Sequence, residues 1–294
     1  MQEVVARSEP YHRLLRNPGK PRWMPVLGSL TILAGWMCAG IIFLSVQAAI
    51  REDPPGTVSW LGLLATNLTL ITLIPLSIVV ARRLNQQPPG LLSSIAGGLR
   101  WRPLAWFAMV AIAVEILMLA AIKLGRLDPL GDSGGIAKDA AAVIAVTLLT
   151  SSLQAAGEEY FFRGYLLQAV GSFARNPLFA VLFTTLLFAM AHGVWPWDSP
   201  ALFLDRFAFG LVAGYLVIRT GGLEASIAVH AANNVVTFVF AALTDSVGGS
   251  LQAADAPWSL VAVDIAKFGL FGVIVARIAR REGIATDTAV DAPR

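Results

Sequence analysis

Apolar runs long enough to cross a bilayer, separated by short charged groups, are the feature that most constrains this chain. A transmembrane helix needs about 20 predominantly apolar residues. Of the 294 residues, 56% are hydrophobic and only 14% are charged, against about a quarter charged in an ordinary soluble domain. The runs are 25–50, 59–81, 104–121, 137–173, 177–192, 201–218, 222–243 and 258–276. The sequence therefore predicts an all-α fold, a polytopic membrane helix bundle with about eight transmembrane helices.

The two ends of the chain differ in charge from its interior. Residues 1–24 form a basic arm, and residues 282–294 form a short polar tail. Since loops rich in Lys and Arg stay in the cytoplasm, and an even number of spans places both termini on one side, both are expected to be cytoplasmic. The loop 244–257 contains no basic residue and is expected outside the cell membrane; the loop 123–138 is the exception, because it contains three.

Cysteine content and net charge exclude several classes of protein. The single cysteine, Cys38, excludes an internal disulfide framework and a zinc site built on paired cysteines. The formal charge of +3 is a small excess for a chain of this length, so no nucleic-acid partner is predicted. The partners expected from the composition are membrane lipids.

A few ionisable side chains fall inside the predicted spans, where each costs about 2.5–3.5 kcal/mol on insertion scales and needs a partner or a purpose. Asp264 and Lys267 lie three residues apart, so they are predicted to neutralise each other. Glu115 has no partner on its own helix and is expected to face the bundle interior. Asp205 and Arg206 are adjacent, which places them on different helix faces, and an interfacial position is expected.

Glu158, Glu159 and Arg163 form a denser charged cluster within the fourth apolar run. Residues four apart share a helix face, so Glu159 is predicted to pair with Arg163. Glu158 points about 100 degrees away, without that counter-charge, which makes it a candidate general base. The structural alternative is an interhelical salt-bridge network, and the cluster alone does not separate the two.

Only three histidines occur, and two of them lie in predicted spans. His12 lies in the basic arm, where a solvated surface position is expected. His192 follows Phe188 by one helical turn, so the two rings are expected to pack. His230 precedes Asn234 by one turn and shares its helix face. Either histidine alone would more often be a hydrogen-bonded residue of the bundle.

Chain geometry relates the first cluster to the second histidine. If the chain reverses near Arg175, Glu158 lies 17 residues before the turn and His192 lies 17 residues after it. Antiparallel neighbouring helices rise about 1.5 Å per residue, so both side chains are expected at one depth. The level of His230 cannot be fixed in this way.

Three motifs in this order resemble the CPBP intramembrane endopeptidases, the CAAX-processing and bacteriocin-processing group that includes the type II CAAX prenyl endopeptidases. Glu158, Glu159 and Arg163 match the paired glutamates with a following arginine; Phe188 and His192, then His230 and Asn234, match the other two motifs. The resemblance covers about 88–243, the predicted catalytic core. Residues 25–87, with two helices, and 244–281, with a loop and the last helix, lie outside it.

The resemblance implies an endopeptidase whose Glu158 activates a water with help from His192, while His230 and Asn234 stabilise the oxyanion. Glu159 and Arg163 are then supporting residues. The implied substrate is a membrane-embedded, lipid-modified or amphipathic peptide. The chemistry is consistent, since peptide hydrolysis needs a base for the water and donors for the developing negative charge.

Two alternatives stay open from the residues. Glu158, His192 and His230 are potential ligands of a catalytic zinc, although the helical motif with two histidines and a glutamate is missing. A mechanism without a metal cofactor is preferred. Alternatively, the cluster serves as a proton or ion site of a transporter or immunity-type membrane protein; the repeated halves common in transporters are not visible. Asn233 is an alternative to Asn234 for oxyanion stabilisation, because a residue three positions after His230 also lies on its helix face.

Overall fold

The computed structural model describes residues 8–51, 59–124, 135–244 and 255–288 of the chain. Eight long helices make up the bundle within these ranges. They are α1 (Met24–Ile50), α2 (Trp60–Arg83), α3 (Trp101–Leu124), α4 (Ala140–Phe173), α5 (Pro177–Ala191), α6 (Pro200–Thr220), α7 (Glu224–Leu243) and α8 (Trp258–Arg281). Seven are long and apolar enough to cross a membrane, and α5 is a shorter apolar helix. The predicted multi-pass helix bundle is confirmed.

Local sequence signals explain where several helices begin. The side chains of Ser59, Asn176 and Ser199 cap the N-termini of α2, α5 and α6 by accepting hydrogen bonds from backbone N–H groups. Both α5 and α6 have proline in the first turn, where its missing N–H is not needed. Gly221 ends α6 in the left-handed conformation, with φ of 63°, which glycine adopts without strain.

Helix α4 is one continuous helix of 34 residues. It passes through Glu158 and Glu159 and ends at Phe173, so the predicted continuation beyond the charged cluster is confirmed. Two segments within it, Thr147–Ser151 and Tyr160–Leu166, are π-helical. Such bulges are rare and frequently lie at functional sites, and these two flank the paired glutamates.

The helices pack so that α7 lies at the centre. It contacts α3, α4 and α6, while α8 packs on α6 and α3, and α5 packs on α6. Helices α1 and α2 pack against each other and α2 contacts α4. Much of α1 is exposed, including Met37, Ile41 and Ile42, which suits a helix at the lipid-facing edge of a bundle.

The connection between α2 and α3 lies against the turn between α6 and α7. Leu223 N donates to Ser93 O at 2.8 Å, and Ile95 N donates to Gly221 O at 2.9 Å. The guanidinium of Arg100 donates to the fully buried carboxylate of Glu224 at 2.7 Å. The connection therefore fixes the start of α7, the helix that carries His230.

The expectation that His12 is a solvated surface residue is wrong. His12 is only 3% exposed, because the turn Tyr11–Arg13 packs on the end of α4. Its Nε2 lies 3.2 Å from Arg175 O, and a Cβ on Gly171 would lie 1.7 Å from His12 O. Burial lowers the pKa of His12. The neighbouring Tyr11 is also buried, so apolar contacts of the arm outweigh its basic composition.

The two ends of the described chain meet. Thr288 N donates to Glu9 O at 3.1 Å, and Glu9 N donates to Thr288 Oγ1 at 3.1 Å. Both ends therefore lie on the same side of the bundle, as an even number of spans requires. Arg126 and most of the predicted exterior loop 244–257 lie outside the described residues.

Candidate active site

Three helices contribute the residues that the motifs singled out. Helix α4 carries Glu158 and Glu159, the end of α5 is followed by His192, and α7 carries His230 and Asn234. Hydrogen bonds join α4 directly to α7 at two points, which are described next. The structure thus brings together side chains up to 76 positions apart in the sequence.

Glu159 is held at the centre of a buried ionic cluster. Its Oε1 accepts hydrogen bonds from Arg163 NH1 and from His230 Nδ1, both at 2.8 Å. Glu159 is 0% exposed and Arg163 is 1% exposed. The guanidinium of Arg163 also lies over the ring of Phe188, 4.0 Å from its centroid, which adds a cation–π contact in a desolvated site. The predicted pairing of Glu159 with Arg163 is observed.

Glu158 has a different set of neighbours. Its Oε1 accepts a hydrogen bond from Gln154 Nε2, and Gln154 Oε1 accepts one from Asn234 Nδ2 at 2.9 Å. Glu158 makes no ion pair within the described residues, but it is linked through one amide to α7 rather than left without a partner. Gln154 was missed in the sequence, although its position one turn before Glu158 is the signal that identifies it.

His192 lies at the end of α5 with an exposed side chain. Its Nδ1 lies 2.8 Å from Phe188 O; because a carbonyl only accepts, Nδ1 carries the proton and Nε2 has the lone pair. The imidazole also packs on the ring of Phe188, with centroids 4.6 Å apart, as expected. The charge of Glu158 acts on His192, but no hydrogen bond joins them in the described part of the chain.

His230 is oriented by the buried carboxylate. Its Nδ1 donates to Glu159, so Nε2 is the atom available to a substrate. Nε2 accepts when the ring is neutral and donates only when the ring is doubly protonated. Phe209 on α6, outside the three motifs, packs edge-on against the imidazole with centroids 4.8 Å apart. His230 is 5% exposed, so the hydrogen bond to Glu159 and the contact with Phe209 hold a buried ring.

The other intramembrane charges have partners. Lys267 Nζ lies 2.7 Å from Asp264 Oδ1, as predicted, and 3.5 Å from Glu115 Oε1. Glu115 faces the interior, at 5% exposed. Asp205 is 4% exposed and forms an ion pair with Arg206, and the interfacial position expected for the two residues stays a prediction. The long arginine side chain folds back to reach its neighbour, which the angle between adjacent helix positions does not prevent.

Zinc was the alternative cofactor, with Glu158, His192 and His230 as ligands. Both histidines donate Nδ1–H to an oxygen acceptor, an orientation that metal-binding histidines also have. Across residues 8–51, 59–124, 135–244 and 255–288, however, no three His, Cys, Asp or Glu side chains are arranged to hold a metal ion. The donor atoms are suitable for zinc, but their arrangement does not form a ligand set.

Residues 140–236 match the family described as type II CAAX prenyl endopeptidase Rce1-like. This segment contains Glu158, Glu159, Arg163, Phe188, His192, His230 and Asn234. The match confirms, over this segment of the chain, the family resemblance that the three motifs indicated. Glu115, Asp264 and Lys267 lie outside the matched segment.

A relative of this chain occurs in Bacillus subtilis (strain 168). It is the uncharacterized protein YyaK, which is 37% identical over 114 residues. The alignment covers 38% of this chain and 38% of YyaK. The chain therefore matches only about two fifths of the length of this relative.

Proposed function

We propose that this protein is an intramembrane endopeptidase that hydrolyses a peptide bond in a membrane-embedded, lipid-modified or amphipathic peptide. The observation that carries the proposal is the different environment of two adjacent glutamates. Glu159 is neutralised by Arg163 and fixes His230, whereas Glu158 accepts from an amide and forms no ion pair with any residue that the structure describes. One carboxylate is structural and the next is available as a base.

In the proposed mechanism, Glu158 removes a proton from a water whose oxygen attacks the peptide carbonyl carbon. His192 presents the lone pair of Nε2 and orients that water. As the carbonyl bond opens, its oxygen becomes an oxyanion, which preorganised donors stabilise. Glu158 then delivers the proton to the leaving amine, and the C–N bond breaks.

The proposed oxyanion donors are His230 and Asn234. Because Nδ1 of His230 already donates to Glu159, Nε2 is the ring atom left to face the oxyanion, and it donates when the ring is doubly protonated. Asn234 uses one amide N–H for Gln154 and retains the second for the substrate. Asn233 is not proposed for this role, since its oxygen accepts from Lys267 at 2.7 Å and its Nδ2 faces Asn234 Oδ1 at 3.4 Å.

A zinc-dependent reaction is the second candidate mechanism. The orientation of both histidines, with Nδ1 donating and Nε2 free, is the observation in its favour. The missing helical motif with two histidines and a glutamate is the observation against it. The mechanism with glutamate-activated water therefore ranks first.

The proposed substrate class follows from the surroundings of the site. The site residues lie on helices whose outer surfaces are apolar, including Leu182, Phe183 and Leu186 on α5, so a hydrophobic peptide reaches them from the bilayer. An extended substrate backbone finds hydrogen-bond partners in a membrane only inside a protein. Cleavage is therefore proposed near the end of a hydrophobic segment or near a chain terminus.

Comparative membrane peptidomics tests the substrate class. Cells that produce the wild type or Glu158→Gln are compared after equal expression has been verified. In cells with the variant, membrane-associated peptides are expected to accumulate or to have a greater chain length, because they are not cleaved. A soluble protein cleaved by the wild type alone, with the membrane peptides unchanged, would show that the substrate class is wrong.

We also propose that the protein lies in the cell membrane with both termini cytoplasmic. The meeting of the two ends at Glu9 and Thr288 supports one common side, and the distribution of basic residues supports the cytoplasm. In a chain without Cys38, a cysteine at position 250 is expected to react with a membrane-impermeant reagent from outside. Labelling at that position from the cytoplasm alone would reverse the orientation.

A further inference from the structure

A run of hydrogen bonds connects the last helix to Glu158. Lys267 Nζ donates to Asn233 Oδ1 at 2.7 Å, and Asn233 Nδ2 donates to Asn234 Oδ1 at a longer 3.4 Å. Asn234 Nδ2 donates to Gln154 Oε1 at 2.9 Å, and Gln154 Nε2 donates to Glu158 Oε1. Four hydrogen bonds thus lead from a lysine on α8 through three amides to the proposed base.

The direction of this run is determined by its two ends. A lysine ammonium only donates, so Asn233 must present its oxygen to Lys267 and its NH2 group to the next amide. An ionised carboxylate only accepts, so Gln154 must present its NH2 group to Glu158. Both ends therefore require the same orientation of Asn234, with its oxygen toward Asn233. That orientation gives the proposed oxyanion site an N–H group rather than an oxygen.

Lys267 is itself held from several helices. Asp264 from its own helix and Glu115 from α3 form ion pairs with it at 2.7 and 3.5 Å, and the charge of Asp205 on α6 interacts with it as well. Its Nζ also lies 4.7 Å from the ring centroid of Phe268. The lysine is 6% exposed. These contacts fix the position of its ammonium group, and with it the direction of the donated bond.

We propose that Lys267 is a positioning residue that acts through Asn233 to orient Asn234 and Gln154, and thereby the base Glu158, for hydrolysis. This inference rests on the proposed function. It assigns a role to α8, which lies outside the matched family segment. A misplacement of about 1 Å by a change remote from the reacting atoms can cost about 100-fold in rate, so interrupting the run should lower kcat more than it raises KM.

The first test replaces the amide that links Lys267 to the site. Asn233→Leu interrupts the run but leaves Lys267 its two carboxylate partners, so the bundle should still fold. Cleavage of a quenched fluorogenic peptide that carries a lipid-modified cysteine is followed in detergent. For Asn233→Leu, kcat is expected to fall by about 10- to 100-fold, with KM changed less than about threefold.

Asn67→Leu is the matched control. Asn67 is a buried amide on α2 that donates to Thr150 Oγ1 at 2.7 Å and to Ser151 Oγ at 3.1 Å, so it anchors α4 without belonging to the run. Loss of this amide is expected to lower thermal stability and to leave kcat within about threefold of wild type. An equal loss of kcat in both variants would show that Asn233 has only a general packing role and would overturn the proposal.

The second test addresses the lysine. Lys267→Arg retains a donor and is expected to restore most of the kcat that Lys267→Met loses. Because Lys267→Met leaves Asp264 and Glu115 without a counter-charge and risks misfolding, the triple variant Lys267→Met/Asp264→Leu/Glu115→Gln removes the lysine and both charges together. A folded triple variant with wild-type kcat would overturn the inference; a folded one with reduced kcat supports it.

The proposed function and this inference fail differently. If the wild type cleaves the reporter and Glu158→Gln does not, the proposed function stands. The Asn233 and Lys267 variants then test only the positioning role of Lys267. If Glu158→Gln cleaves as fast as wild type, the base itself is misassigned, and the inference falls with it.

Discussion

A single oxygen, Glu159 Oε1, lies 2.8 Å from both Arg163 NH1 and His230 Nδ1. It joins Arg163 on α4 to His230 on α7, and all three side chains are almost fully buried. Glu159 therefore supplies the charged one of the two hydrogen-bonded links between α4 and α7. Its neighbour Glu158 faces the amides instead, so substitutions of the two glutamates should have different consequences.

Glu159→Gln is expected to destabilise the protein strongly. The variant leaves Arg163 without its counter-charge, and breaking a buried ion pair costs about 3–5 kcal/mol. The yield of folded protein in detergent and its thermal unfolding temperature should both fall, together with activity. Glu282→Gln, at an exposed position after α8, serves as the control and should be neutral. Wild-type stability of Glu159→Gln would contradict the structural role.

Gly157→Ala is expected to displace the helix segment that carries Glu158. A Cβ at this position would lie 2.2 Å from Leu70 O on α2, and overpacking of this kind costs about 1–3 kcal/mol. Activity and thermal stability should both decrease. Gly269→Ala is the matched control, since a Cβ there meets nothing within 4 Å, and it should be neutral or stabilising. Similar behaviour of the two variants would contradict the close approach of α4 to α2.

Acidification should destabilise the docked N-terminal arm through His12. Because burial lowers the pKa of His12 in the folded protein, the unfolded state binds the extra proton first. The contribution of neutral His12 to stability is complete above the ordinary histidine pKa of about 6.5. As the pH falls below that value, the free energy of unfolding decreases by at most about 1.4 kcal/mol per pH unit. Thermal unfolding between pH 7.5 and 5.5 measures the loss.

His12→Gln provides the control for this pH dependence. Glutamine retains a donor for Arg175 O but does not titrate. The stability of the variant should therefore fall less between pH 7.5 and 5.5 than that of the wild type. An identical pH dependence in the variant and the wild type would assign the effect to another group.

Chelation should leave activity intact. The proposed mechanism assigns Glu158, His192 and His230 to base, water-orienting and oxyanion roles. Because these are also the potential zinc ligands, the mechanism leaves none of them to bind a metal ion. Activity is measured after prolonged dialysis against a chelator, alongside metal analysis of the purified protein. Stoichiometric zinc that is lost together with activity, and that restores activity when it is added back, would reverse the ranking of the two mechanisms.

The sequence predicted the helices well because membrane insertion imposes a strong, local signal. The apolar run after Ala137 continued through Glu158 with no proline to stop it, and α4 is indeed continuous to Phe173. The pairing of Glu159 with Arg163 was also predictable, because residues four apart share one face of a helix.

Contacts between segments that are distant in the sequence were harder to predict. His12 is buried because the arm folds back onto α4, which its basic composition does not indicate. The link from Lys267 to Asn233 depends on how α8 packs beside α7, and no spacing along one helix encodes that register. Gln154 was identifiable from its helical position, but glutamine carries no charge that would draw attention to it.

The most direct test of the account is the rate at which Glu158→Gln hydrolyses a membrane-inserted reporter peptide. Glutamine still accepts a hydrogen bond from Gln154 but cannot take a proton from water, so folding should be retained. Loss of a general base lowers rates by about 10²–10⁴-fold. A folded Glu158→Gln protein with kcat reduced to that extent is the predicted result, and a folded variant that cleaves the reporter at the wild-type rate would contradict the assignment of Glu158 as the base.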